Sequence, residues 1–271
     1  MLNKESILVD SHCHAGESWY EPIESLIYQL DKNQITKAVL IGHMGAYENN
    51  DYLLECKKKF DGRFAVVGVF DFDKYGVRKE DLKNLKLEGI DGVRIAAKNI
   101  VKPEYRLVLD IISRFGLVIS CLGEWPEFII PNFLEIAKTY SNLNIVIEHL
   151  AGISSNSDYQ YEYCQKVVEF SNYGNIYIKI PGLGEINSKP NVLLRKSAFD
   201  KKFEPLFDVT LKNFGSQRMM WGSDYPPVSN REGYLNAFND ISNCDIFHKG
   251  NDLNNIMGQT AYKLFWQNNL G

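Results

Sequence analysis

The sequence predicts a single (β/α)8 TIM barrel spanning residues 1–271 as one domain. Three observations carry that prediction. Eight short strand-like runs recur along the chain, and amphipathic helical stretches separate most of them. Several runs are apolar without alternation, which is how strands buried on both faces of a parallel sheet read. The length of 271 residues is also close to the ~250 typical of such barrels. A doubly wound open sheet shares the alternation of strand and helix. No Gly-x-Gly-x-x-Gly follows the first strand, which argues against the dinucleotide-binding form of that alternative.

The first strand is Ile7–Ser11. The helix after it covers Pro22–Leu30, with apolar residues at 23, 26, 27 and 30 and proline near its first turn. Strand two is Ala38–Gly42, followed by a helix over Asp51–Phe60. Strand three is Phe64–Phe70, and a charged helix around Lys79–Lys86 comes next. Strand four is Gly92–Ala96; the helix from Pro103 to Phe115 stops at Gly116 and carries a core stripe of Leu107, Leu109, Ile111, Ile112 and Phe115. Strand five is Leu117–Cys121, with its helix over Pro131–Tyr140. Strand six is Asn144–His149, and its helix is Tyr161–Phe170. Strand seven is Ile176–Ile180; the irregular Gly182–Lys202 then precedes a helix at Glu204–Phe214 and reads as a lid or specificity loop. Strand eight is Arg218–Asp224, and helical segments at Gly233–Ser242 and Asp252–Trp266 close the chain.

Composition narrows the function classes. With 45% hydrophobic and 24% charged residues the chain reads as a soluble globular protein. The net charge of −4 and the lack of a basic stripe argue against nucleic acid as a partner. Five cysteines, odd in number and widely spaced, point to reduced thiols and a cytoplasmic setting. The first residues show no signal peptide, and no apolar run reaches the ~18 residues of a membrane span. A small-molecule substrate is the expected partner.

In a barrel of this kind, catalytic groups gather at the C-terminal ends of the strands. Read in order, those ends carry His12 and His14, His43, Asp71, Arg94, Cys121, His149, Lys179 and Asp224. Four of the five histidines fall in this set, which favours a metal or acid–base site over scattered structural histidines. Residues two apart on a strand share a face. Leu8, Asp10, His12 and His14 are therefore expected to point one way, so that both imidazoles can reach one metal ion.

Asp10-Ser11-His12-Cys13-His14, Glu148-His149-Leu150-Ala151-Gly152 and Met220-Trp221-Gly222-Ser223-Asp224-Tyr225-Pro226-Pro227 together resemble the amidohydrolase superfamily. The closest resemblance is to its amidohydrolase-2 branch, and within that to the lactonases of 2-pyrone-4,6-dicarboxylate and of sugars. Smaller matches lie at Asp91–Arg94, Lys179–Leu183, Phe214–Arg218 and Asn255–Ala261, so the resemblance spans residues 7–265. It implies a hydrolase with one divalent metal ion, zinc first, held by His12, His14 and Asp224 and completed by Cys121 or a water. A metal-free mechanism stays open, because lactonases of this branch work without metal. Two departures matter. Cys121 stands where metal-dependent members carry a histidine, and Arg94 stands where a carboxylated lysine would support a second metal.

The implied reaction is attack of water on a lactone or related cyclic ester, or on a C–N bond. Asp224 and His149 are the catalytic residues: Asp224 takes the proton from water, and His149 polarises the carbonyl. Arg94, Lys179, Cys121 and His43 are the substrate-binding candidates, and the cations imply an anionic or polyhydroxylated substrate. The rival reading of Arg94 and Lys179 is as ion-pair partners of Asp71, Asp10 or Glu148 inside the barrel. Trp125 and Tyr225 are expected as apolar walls, and Tyr47 as a weaker candidate beside His43. Two alternatives accompany this reading, a metal-dependent non-oxidative decarboxylase and an inactive binding homologue. Family resemblance also implies a homodimer.

Overall fold

All eight strands lie in one parallel sheet whose spatial order is the chain order, β1 through β8, in a computed structural model. The structure describes residues 6–18, 20–46, 49–72, 86, 89–153, 158, 160–187 and 203–267. The strands are β1 Val9–Cys13, β2 Lys37–Ile41, β3 Phe64–Gly68, β4 Gly92–Ala96, β5 Val118–Leu122, β6 Ile145–Ile147, β7 Ile176–Ile180 and β8 Met219–Trp221. Every consecutive pair is parallel. The ring closes between β8 and β1. Asp224 N donates to His12 O at 2.9 Å, His14 N to Tyr225 O at 2.7 Å, and Ser11 Oγ to Trp221 O at 2.7 Å. The (β/α)8 barrel expected from the strand count is the fold observed.

Side chains along the strands divide between two apolar regions, as period-two alternation requires. Val39, Ile41, Ala65, Val67, Val118 and Val146 share an inner cluster with Ala261, Leu264 and Phe265 from the C-terminal segment. The alternate residues, such as Val93, Ile95, Ile119 and Ile147, join the shell between strands and helices. Each buried aliphatic side chain contributes ~1.5–3 kcal/mol relative to exposure. This shell therefore holds the helices Ile23–Lys32, Asn49–Lys59, Arg106–Arg114, Pro131–Thr139, Gln160–Ser171, Glu204–Phe214 and Tyr234–Ser242 against the barrel.

Four expectations are corrected. First, β1 does not alternate simply: Asp10 pairs with Ala38 but Cys13 with Leu40, so β1 spends three steps where β2 spends two. The bulge shifts the phase of the strand. Val9 joins the inner cluster and Cys13 the outer shell. Asp10 is bonded by the Tyr234 hydroxyl at 2.6 Å and Ser223 N at 2.9 Å. Second, Cys121 is buried in the outer shell. Third, Leu107 is exposed, because its helix turns Val108, Leu109, Ile111 and Ile112 inward. Fourth, the closing helix alternates α and π turns from Asp252 to Gln267. Most of the predicted Lys79–Lys86 helix, Tyr47 and the 188–202 stretch lie outside the described residues. Among the described residues, no helix is long and apolar enough to cross a membrane.

Candidate active site

Asp224 lies just past β8, and its carboxylate gathers the other groups. His14 Nε2 is 3.4 Å from Oδ1 and His12 Nε2 is 3.8 Å from it. The ring of His149, just past β6, lies 4.4 Å from that of His12. Arg231 Nη1 donates to Asp224 Oδ2 at 2.9 Å. Burial alone would raise the Asp224 pKa. The His14 bond and the charges of His149, His14 and Arg231 outweigh it and hold the carboxyl down to about 2. The group is therefore ionised at neutral pH.

The three imidazoles are held differently. His14 Nδ1 lies 2.7 Å from the Ile41 carbonyl, which only accepts, so Nδ1 carries a proton and Nε2 is directed to Asp224. His12 is fully buried, and burial followed by the Lys179 and His149 charges drives its pKa well below the usual value. His149 is only partly buried; its desolvation lowers its pKa, but Glu185, Asp224 and Glu148 raise it on balance. Its Nδ1 lies 3.2 Å from Glu185 Oε1. A neutral imidazole and one biased towards the cation thus stand side by side against one carboxylate.

Below them runs a buried polar chain. Arg94 grips Glu148 with Nε at 3.0 and 3.2 Å and Nη2 at 2.7 Å, and gives Nη1 to Gly42 O at 3.2 Å. Ser120 Oγ donates to Glu148 Oε1 at 2.6 Å. Lys179 Nζ donates to Ser120 Oγ at 3.0 Å and lies 3.1 Å from His12 Nδ1. Burial lowers the Lys179 pKa to about 8 against the opposing pull of Glu148. The cost of burying each ion is several kcal/mol, offset here by pairing and hydrogen bonds. Of the two readings of Arg94, the ion pair with Glu148 is present, and Arg94 also reaches the cavity. Lys179 has no exposed surface.

Backbone strain collects at the same place. Among the described non-glycine residues, positive φ occurs at Tyr20 (73°), Gln34 (59°), His149 (47°), Leu150 (52°), Ala151 (59°) and Asp224 (58°). All but Gln34 belong to the site or to the turn that carries it, as expected where a fold spends stability on placing functional groups. Tyr20 stacks on His14 with centroids 4.9 Å apart and stands edge-on to His43 at 5.2 Å.

A cavity of about 380 Å³ adjoins His149 at the ends of β4 to β7. Besides Arg94, Glu148 and His149, its wall includes Lys98, Glu124, Glu127 and Glu185. The structure thus brings together His12, His14, His149, Asp224, Arg94 and Lys179. His43 stays at the rim, 6.4 Å from His14. Cys121, Trp125 and Tyr225 are absent from the cavity wall. Sequence reasoning missed Ser120, Tyr20, Glu185 and Arg231. Alternation from Arg94 and its β5 partner would have found Ser120. Tyr20 and Arg231 stand in loops and Glu185 in a one-turn helix, where no periodicity marks them.

One ring nitrogen each of His12 and His149 and one oxygen of Asp224 lie within 4.8 Å of one another, while His14 is outside that triple. The arrangement fits a divalent cation. The donors are nitrogen and oxygen, and the buried His12 Nε2 has no hydrogen-bond partner. His12 offers Nε2 to an ion only while Nδ1 holds the proton, which requires Lys179 Nζ to accept rather than donate. Cys121 lies in the outer shell and not in this donor set.

The amidohydrolase-2 family model, described as Amidohydrolase, matches residues 9–266. L-fucono-1,5-lactonase of Burkholderia ambifaria is 23% identical over 253 residues, spanning 85% of this chain and 83% of that protein. A Pseudomonas putida structure named for 2-pyrone-4,6-dicarboxylic acid hydrolase superposes with a TM-score of 0.79 at 19% identity, covering 98% of this chain and 100% of the other. An amidohydrolase of Burkholderia multivorans with bound zinc superposes with a TM-score of 0.73 at 16% identity, covering 96% and 99%. At these identities the two structural likenesses show the fold.

Proposed function

The chain belongs to the amidohydrolase family, and from that premise we propose that it hydrolyses a lactone of a small, polyhydroxylated acid. One observation carries the reading: an ionised Asp224 faces three imidazoles at the C-terminal mouth of the barrel, beside a cavity of substrate size. The lactonase relative supports the choice of a cyclic ester.

Asp224 orients a water and takes its proton as the water oxygen attacks the lactone carbonyl. The same proton passes to the ring oxygen when the C–O bond breaks, so Asp224 ends ionised again. A carboxylate held to about 2 is a weak base, and this onward transfer suits it. His149 donates to the developing oxyanion, helped by the acidic neighbours that favour its cationic form. Were a divalent ion, zinc in this reading, bound, His12, His149 and Asp224 would hold it and it would supply Lewis acidity towards an oxygen of water or substrate; His149 would then serve as a ligand in place of the oxyanion donor.

The charges favour a polyhydroxylated over a dianionic substrate. Arg94 is committed to Glu148, Arg231 to Asp224, and Lys179 is enclosed. The cavity adds Glu124, Glu127 and Glu185 against Lys98. Sugar hydroxyls can donate to such carboxylates, whereas a second carboxylate would meet repulsion. The proposal includes a soluble cytoplasmic enzyme acting as a homodimer on a small molecule, with no nucleic acid or membrane partner.

A substrate panel tests it. L-fucono-1,5-lactone and other aldono-1,5-lactones should open to the hydroxy acids with release of one proton. Carbon dioxide release from an aromatic acid, with every lactone inert, would replace this reading with a decarboxylase. Binding of lactones without turnover would make it a binding homologue.

A further inference from the structure

Beside the β1 histidines, the segments after β6, β7 and β8 each bring a group to the site, and Glu185 touches both His149 and Arg231. Glu185 sits in the one-turn helix Leu183–Ile186 that follows β7. Its Oε1 is 3.2 Å from His149 Nδ1, its Oε2 is 3.4 Å from Arg231 Nη1, and Arg231 Nη1 is 2.9 Å from Asp224 Oδ2. The chain His149–Glu185–Arg231–Asp224 therefore joins the loops after β6, β7 and β8. From this geometry we propose that Glu185 is a positioning residue. It fixes His149 through Nδ1 and, through Arg231, fixes the carboxylate of Asp224. The kinetic consequence rests on the lactonase reading; the hold on His149 does not.

Two features of the surroundings fit that role. The turn bearing Glu185 is seated from beneath. Glu232 is almost wholly buried and packs against Gly182 and Gly184 so closely that a β-carbon at either glycine would collide with its carboxylate. Glu232 Oε2 also lies 3.6 Å from Arg231 Nε, so the same arginine ties the seat to the site. The second feature is the backbone of His149, which is in the left-handed region and needs outside support to keep its ring in one place. The His149–Glu185 contact is at ion-pair distance but out of line for a full hydrogen bond. Such contacts tighten when substrate fills an active site. With Nδ1 engaged, Nε2 is left as the working nitrogen of the ring.

The test reads both ends of the chain in the full-length protein. Nitrogen-15 histidine spectra of the substrate-free enzyme should show a proton on His149 Nδ1, the signal being identified by its loss in His149→Asn. In Glu185→Ala that proton should exchange with water at least about tenfold faster. With L-fucono-1,5-lactone, or whichever aldono-lactone turns over fastest, kcat should fall by about 10- to 100-fold, KM should change less than twofold, and Glu185→Asp should recover part of the loss. Glu185→Gln, of the same shape, replaces the alanine variant if the latter does not fold. A folded variant with an unchanged His149 signal, or with unchanged kcat, overturns the proposal. If no lactone is turned over but the His149 signal moves, the lactonase reading fails and the positioning of His149 by Glu185 stands.

Discussion

At the scale of single residues, the site depends on charges that set one another. Asp224 is held to about 2 against an ordinary 3.8. Because its folded-state value is depressed, the associated stability is fully present above the unfolded value and is lost as pH falls through the folded one. The difference corresponds to about 2 kcal/mol. The unfolding free energy of the wild type should therefore drop by about that much more than that of Asp224→Asn between pH 4 and pH 2, measured by urea titration; parallel curves would contradict the assignment. The sequence disclosed which residue types stand at the strand ends, and His12, His14, Arg94, His149, Lys179 and Asp224 do converge. It did not choose among pairings: Arg94 reads as a substrate clamp or as a partner of Asp71, Asp10 or Glu148, and the fold selects Glu148, 54 positions away, to take up its fork. Cys121 was misplaced by looking at a strand end without its parity: Ser120, not Cys121, is the inward residue.

At the scale of elements, two irregularities place the site, and neither leaves a trace in hydrophobic periodicity. The bulge in β1 turns His12 into the barrel while Asp10 is bonded by Tyr234. The turn from His149 to Gly152 is left-handed throughout. Each non-glycine residue in that conformation costs ~1–2 kcal/mol, so the turn persists because Leu150 and Ala151 are buried beneath it. Only Gly152 marks it in the sequence. Ala151 has φ 59° and ψ 32° and almost no exposure. Ala151→Val adds β-branching where that is least tolerated and overfills the space, and should cost about 2 kcal/mol or more. Ala151→Gly should change stability by less than about 1 kcal/mol, because relief of strain offsets added backbone freedom. Equal effects of the two changes in denaturant unfolding would contradict a strained turn.

At the scale of the whole molecule, the barrel was legible because its evidence is additive: eight apolar runs, intervening helices and length all agree. The C-terminal segment was legible as helical but not as the part that fills the inner cluster. Ala261, Leu264 and Phe265 join β-strand residues there, and Asn255 and Thr260 bond Ser216 at 2.9 Å each. Gly258 passes so close to the segment just before β1 that a β-carbon would collide with the Ile7 carbonyl. Backbone cannot yield as a flexible side chain can, so Gly258→Ala should destabilise the fold by about 2 kcal/mol or more; an unchanged denaturation midpoint would show that the segment packs elsewhere. The same barrel holds Asp224 just past β8 among the three imidazoles, and the proposed role of that carboxylate as the base is the central claim. The most direct measurement is kcat/KM of Asp224→Asn on the best aldono-lactone, with folding checked by circular dichroism. The account predicts a loss of at least about 100-fold, the scale on which removal of an acid–base group acts. Turnover within about twofold of wild type would show that the water is activated by another group.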